Sequence, residues 1–508
     1  MADPYYITTA IHYPNGRPHI GHAYEMIAAD AIARFHRQAG RDVRFQTGTD
    51  EHGLKMVQTA RARGIDTRAL ADEMSGHFIQ MAGRLDISCD RFIRTVEPDH
   101  YAASQAIWQA MADAGDLYLD RYEGWYSVRD EAFYEEKELV AGEAGARLSP
   151  QGTPVEWTAE ETWFFRLSKY QQPLLDFYAA NPDFIRPETR RNEIVRFVEG
   201  GLVDLSVSRT SFDWGVPVPG SPGHVMYVWV DALTNYLTGT GYPDRNDPLS
   251  RYWPANLHLI GKDIVRFHAV YWPAFLMSAK LPLPRQIFGH GFLLNRGEKM
   301  SKSVGNVVDP MELAQLYGVD ALRYFLLRDV SFGQDGTFSD EAIVTRANAD
   351  LANSFGNLAQ RTLAFIAKNL DGRLQAGRGE GADTALEDEV RAAIEEFRAA
   401  FETLALSQAL EAWMKGVFAC NAYIDAQAPW ALRKTDPERM HAVLAALVGA
   451  IRRLAIAAMP VIPNAAAAIL DQLGAQARDH AAIDTAWDPT AIHITPPAPV
   501  FPRLELAA

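Results

Sequence analysis

Residues 5–22 read YYITTAIHYPNGRPHIGH, and the order of residue types along that stretch decides the architecture. Tyr5 to Ile11 is rich in β-branched and aromatic residues, which predicts a strand. His12 to Pro18 holds Pro14, Asn15, Gly16 and Pro18 and predicts a loop. Apolar residues then recur at helical spacing from Ile20 to Gln38, with Gly40 as a C-terminal stop. Val43 to Thr47 predicts the next strand, so the chain opens on a strand–helix–strand unit of α/β type.

Outward from that unit, the strand–helix alternation predicts a Rossmann-like catalytic domain over 1–115 and 220–296. Val225 to Val230 and Leu257 to Ile260 are expected strands. Between the two parts, 116–219 changes character: short aromatic runs spaced by Gly and Pro predict a small β-rich insertion. From about Asp340 the spacing of Ala and Leu predicts a helical bundle, taken as 346–475. The region 297–345 joins them, and 476–508 is a tail whose proline-rich part, Pro496 to Pro502, is expected to lie extended against the body.

A chain of 508 residues with 48% hydrophobic and 22% charged residues is expected to be an ordinary multidomain globular protein. Its formal net charge of −15 argues against wholesale coating of nucleic acid but leaves local basic patches possible. Arg186, Arg190, Arg191 and Arg196 make one such cluster, as do Arg452 and Arg453. The 2 cysteines, Cys89 and Cys420, lie too far apart in sequence for a Cys-x-x-Cys zinc site. The N-terminus lacks the basic and apolar regions of a signal peptide, and the longest apolar stretch, Ala442 to Ile451, is too short to span a membrane. A cytoplasmic address without membrane attachment is the expectation.

Two short motifs carry chemistry. His19-Ile20-Gly21-His22 falls where the first loop becomes the first helix, beyond the carboxyl end of a strand, where α/β sheets bind ligands. A helix N-terminus there favours phosphate. His19 and His22 share a helical face and can donate to phosphate oxygens, while Gly21 leaves room for a base or ribose against the backbone. Lys299-Met300-Ser301-Lys302-Ser303, between Gly297 and Gly305, predicts a loop with two point charges suited to a polyphosphate. Read alone, the first motif favours a ligand site over two exposed histidines beside a helix-start glycine, whereas the second reads better as a solvated basic loop.

Taken together and in this order, the two motifs resemble those of the class I aminoacyl-tRNA synthetases. The methionyl family is the closest in pattern, over essentially the whole chain. Further stretches carry the resemblance: residues 10–16 (AIHYPNG), 49–53 (TDEHG), 227–232 (YVWVDA), 261–268 (GKDIVRFH) and 427–430 (QAPW). It implies activation of methionine with ATP, accompanied by Mg2+, followed by transfer to initiator and elongator tRNA(Met). His19, His22, Lys299 and Lys302 would be catalytic. His19, Gly21, His22, Gly261, Asp263, Leu293 and Lys302 would bind ATP. Asp50 would accept the methionine ammonium, with Ile11, Tyr13, Trp229, Ala232, Leu233, Tyr236, Ile264 and His268 around the side chain. Phe267 stands evenly between pocket and core. Asn357, Arg361 and Trp430 would contact the anticodon, Trp430 by stacking on a base.

The chain also departs from the family pattern. Where many relatives carry a zinc knuckle, it has Ser127, Asp130 and Ser149, so no structural metal is expected. Trp125, Tyr126, Phe133 and Tyr134 are the residues expected to hold the insertion by apolar packing. Leu205 stands where some relatives have tryptophan. A monomer is expected. Two alternatives stay open at this level: another class I specificity, or a non-catalytic tRNA-binding derivative.

Overall fold

A computed structural model of the chain describes residues 2–127, 132–142, 145–295, 297–300, 307–485 and 487–506. Its centre is a six-stranded sheet: β1 (Pro4–His12), β2 (Asp42–Thr49), β3 (Arg91–Arg94), β4 (Ile185–Arg186), β5 (Leu257–Gly261) and β6 (Ile287–His290). The spatial order is β3-β2-β1-β5-β6-β4, and every pairing is parallel. The chain runs outward from β1 through β2 to β3, crosses to β4 at the far edge, and returns to β5 beside β1 before β6 fills the place between β5 and β4. The carboxyl ends of β1 and β5 therefore flank the point where the strand order reverses, the place where open α/β sheets leave a crevice.

Helix α1 (Ile20–Gln38) leaves that crevice and is buried nearly all round, from Ile20 through Ala33 to Phe35 and His36. Its Asp30, fully buried, is ionised against Arg323 (2.6 Å) and Arg34 (2.7 Å). Burial pushes its pKa up, but the guanidinium groups outweigh that and the pKa is lowered. Arg323, itself fully buried, also donates to the carbonyls of Leu85, Pro460 and Val461. One side chain thus ties α1 to the turn that follows the helix Pro437–Ala458 of the C-terminal bundle.

The expected strand over Val225 to Val230 is a correction. Only Val225–Met226 is extended, and a helix, Val228–Thr238, begins within the run. A short apolar run reads alike for a buried strand and for a helix buried on most sides, and this helix is buried from Val230 to Thr238. In the segment 116–219, Leu117–Ser127 pairs antiparallel with Glu156–Phe165 and with Ala132–Tyr134, while β4 from the same segment joins the central sheet. Ser127 and Ser149 both hydrogen-bond Thr153 (2.6 and 2.8 Å), and all three are buried. Tyr126 and Tyr134 are buried, and Trp125 lies beside Trp157 with Arg147 over its ring at 4.6 Å. Asp130 and the side chain of Phe133 lie outside the description. Three long helices, Gly381–Glu402, Leu406–Gln427 and Pro437–Ala458, pack into the bundle. The last is long and apolar enough to cross a membrane by composition, but 72% of its apolar window is buried. The tail returns along the body, where Leu504 receives a bond from Asn348 and donates one to it (2.9 and 2.8 Å).

Candidate active site

The loop after β1 ends at His19, which caps α1. The Gly21 N–H donates to His19 Nδ1 (3.1 Å), and the His19 N–H donates to His22 Nδ1 (3.0 Å). The two rings stack with centroids 3.8 Å apart. Because each Nδ1 accepts, the neutral ring carries its proton on Nε2, so both imidazoles keep a donor on the edge away from the helix backbone. Gly21 is required for this: a Cβ there would come within 2.9 Å of the His19 ring. Sequence spacing predicted the shared face; the capping role was not visible in it.

A cavity of about 710 Å³ lies at the crevice. Its wall contains the expected nucleotide residues His19, Gly21, His22, Gly261, Asp263 and Leu293, and also Ile11, Tyr13, Asp50, Trp229 and Ile264. Asp50 follows β2 directly, is 8% exposed, and its N–H donates to His12 O (2.9 Å). Gly261 ends β5, and a Cβ there would meet the Asp263 carboxylate at 2.7 Å. On the floor, His290 Nε2 bonds Glu25 (2.7 Å) and Nδ1 faces the Gly291 carbonyl (2.8 Å). Burial works against charge on His290, but the Glu25 carboxylate outweighs it and the pKa is raised.

The other expected pocket residues, Ala232, Leu233, Tyr236 and His268, are buried behind that wall rather than in it. Phe267 is on the wall and stacks on Trp229 with centroids 3.8 Å apart and planes within 5°. It belongs with the pocket aromatics rather than the core. His268 lies in a π-helical turn, Phe267–Tyr271. Its Nδ1 donates to the Ile264 carbonyl (2.9 Å), which leaves Nε2 to accept from the Tyr236 hydroxyl (2.6 Å). Burial lowers its pKa to about 4, so it is neutral at pH 7.

The lysine motif begins in a hairpin in which Glu298–Lys299 pairs with Leu293–Asn295. Met300 and Val307 lie on the cavity wall, and Ile20 N–H donates to Val308 O (3.0 Å). The described residues on either side, Met300 and Val307, thus both stand at the cavity. Lys302, with Ser301, Ser303 and Gly305, lies outside the described residues, as does the Lys299 side chain.

Far from the cavity, Trp430 is 46% exposed in a helix, Pro429–Thr435, that starts after Ala428 in a left-handed conformation (φ 43°). It shares a hollow of about 340 Å³ with Arg361, Thr362, Phe365, Ile424, Pro429 and Leu444. Arg361 sits over the Trp430 ring at 5.4 Å and pairs with Asp425 at 3.0 Å. Asn357 is exposed one turn before Arg361 but does not line the hollow.

Sequence reasoning missed a buried cluster of His52, His100 and Asp231, of which His52 stands two residues after Asp50 and Asp231 two after Trp229. The signal available was ionisable residues inside otherwise apolar runs.

Residues 5–363 match the family model described as tRNA synthetases class I (M), and residues 375–500 match the anticodon binding domain of methionyl tRNA ligase. A methionine–tRNA ligase of Brucella suis is 60% identical over 504 residues, covering 99% of this chain and 98% of that protein. One of Mycobacterium bovis is 58% identical over 511 residues, covering 99% and 98%. The structure of Mycobacterium tuberculosis methionyl-tRNA synthetase in complex with methionyl-adenylate superposes with a TM-score of 0.96 at 58% identity, covering 99% of this chain and 100% of that one.

Proposed function

The chain belongs to the methionyl-tRNA synthetase family of class I enzymes, and from that premise we infer how its own residues divide the work. It activates methionine with ATP to methionyl-adenylate and pyrophosphate, then transfers the methionyl group to tRNA. The observation that carries the assignment of residues is that one cavity is lined by Asp50 together with the stacked pair His19 and His22.

Asp50 accepts the methionine ammonium, a carboxylate being the simplest partner for a cation in a partly desolvated site. Tyr13, Trp229, Phe267 and Ile264 enclose the thioether, for which sulfur–aromatic contacts contribute about 0.3–1.5 kcal/mol each. Ala232, Leu233, Tyr236 and His268 back that wall. The methionine carboxylate attacks the α-phosphate in line. The His19 and His22 Nε2–H groups donate to its oxygens as charge builds, with no covalent enzyme intermediate. ATP, as its magnesium complex, rests on Gly21, Gly261, Asp263 and Leu293, and Lys299 with Lys302 neutralises the departing pyrophosphate. A terminal ribose hydroxyl of the tRNA then attacks the adenylate carbonyl and AMP leaves. Trp430, Arg361 and Asn357 read the anticodon of both initiator and elongator tRNA(Met). The enzyme acts as a monomer in the cytoplasm, where its substrates are.

ATP–pyrophosphate exchange across a panel of amino acids tests this reading. Methionine should stimulate exchange far more than leucine or isoleucine; equal stimulation by leucine would overturn it.

A further inference from the structure

The helix Val228–Thr238 has two faces of different chemistry. Trp229 lines the cavity, and positions 232, 233 and 236 behind it continue the same helical face. Positions 231, 235 and 238 form another, which is polar and buried: Asp231 is 0%, Asn235 1% and Thr238 6% exposed. Asp231 Oδ2 accepts from His52 Nδ1 (2.6 Å), and its Oδ1 accepts from His100 Nε2 (2.6 Å). His100 Nδ1 reaches Thr238 Oγ1 two turns on (3.0 Å), His52 Nε2 meets the Tyr101 hydroxyl (3.1 Å), and Gln46 of β2 donates to Asn235 Oδ1 (2.7 Å). Both imidazoles are buried.

Stability alone does not call for such a face. A buried ionic cluster is replaced by packed apolar side chains at little or no loss in many proteins. What two 2.6 Å bonds to one carboxylate add is direction. An apolar contact tolerates a small rotation or slide of a helix, whereas a bidentate acceptor held from two sides does not. His52 stands two residues after Asp50, and Asp231 two residues after Trp229. The bond between them therefore links the chain two residues from the carboxylate assigned to the ammonium to the chain two residues from the pocket tryptophan.

We propose that His52 and Asp231 are positioning residues: their hydrogen bond fixes the register of the pocket helix against Asp50, and so sets the length of side chain that fits. This rests on the reading of Asp50 given above. Loss of the bond loosens the match to methionine, not the site for ATP.

Two near-isosteric substitutions separate the bond from the bulk. An Asn amide nitrogen occupies the place of His Nδ1, so His52→Asn keeps the bond to Asp231. A Gln amide nitrogen occupies the place of Nε2, so His52→Gln keeps Tyr101 and loses Asp231. In ATP–pyrophosphate exchange, H52Q should raise the methionine KM about tenfold, the equivalent of one hydrogen bond to a charged group. The ATP KM should stay level, and preference for methionine over ethionine, one methylene longer, should narrow. H52N should stay near wild type in all three. Equal methionine KM values for H52N and H52Q, an ATP KM that rises in step, or unfolding of H52Q alone would overturn the proposal. Asp50→Asn is measured alongside. If it leaves the methionine KM unchanged, the reading of Asp50 is what has failed; if it raises it while H52Q does not, only the positioning role has.

Discussion

At the scale of single residues, the site depends on small groups that let larger ones approach. Gly21 is the clearest case, since a methyl there would press on the His19 ring at 2.9 Å. Gly21→Ala should swing that imidazole off its cap. Exchange turnover should fall at least about tenfold, with the methionine KM little changed, because the lost donor acts on the transition state. Steady-state kinetics of the purified variant decides it, and unchanged turnover would remove His19 from the chemistry. Lys302 carries a parallel expectation from sequence alone. Lys302→Ala should depress turnover strongly while altering ATP affinity less, as expected for a charge that matters when pyrophosphate leaves. A fall in affinity at constant turnover would make it a ground-state anchor. Asp50, His19 and His22 were legible because each stands in a short stretch whose residue types already suggest a ligand. Glu25 with His290, and the His52–Asp231–His100 cluster, were not, because nothing local says which buried polar group another will meet.

At the scale of elements, the helix Pro429–Thr435 presents Trp430 to solvent rather than to the bundle core. Removing a ring that stacks on a base should cost about 1–3 kcal/mol of tRNA binding. Trp430→Ala should therefore cut charging efficiency about tenfold to a hundredfold while exchange, which uses no tRNA, stays near wild type. With the ring 46% exposed, melting should shift little; a large drop with both activities falling together would give the residue a structural role instead. In the insertion, the buried hydroxyls of Ser127 and Ser149 both bond that of Thr153. Serine and threonine are poor zinc ligands, and the insertion should hold without one. Elemental analysis should find no stoichiometric zinc and a chelator should leave the melting curve in place; a tightly held equivalent of zinc would show that other ligands serve. The run Val225 to Val230 shows why element type is hard to read where burial is complete: the usual alternation of apolar and polar residues is missing.

At the scale of the whole molecule, burial of histidines ties stability to pH. Burial drives the pKa of His36 to about 3 and that of His268 to about 4. Their unfolded forms titrate near 6.5 (about 6.5 for a free imidazole). With the folded values below the unfolded ones, the unfolded chain binds more protons between about pH 6.5 and 4, so stability falls as pH falls through that window. Each such group contributes a slope of up to about 1.4 kcal/mol per pH unit. His290, raised by Glu25, opposes one of them. The melting temperature should decline between pH 7 and pH 5; a level curve over that range would contradict it. The same scale shows Arg323 joining α1 to the bundle through Asp30 and the carbonyls of Pro460 and Val461, partners more than a hundred residues away in sequence. By itself the sequence determined the opening strand–helix–strand unit, the helical C-terminal region, the family, and the residues of its two signature motifs. Each of these is written in periodicity or in a few adjacent residue types, and local backbone preference and short-range sterics are enough to express them. Only the tertiary structure decided that His19 and His22 cap their own helix, that Phe267 closes on Trp229, and that His52 meets Asp231 across 179 positions. Those contacts depend on how whole helices are rotated and docked against the sheet, a geometry set by the packing of many faces at once.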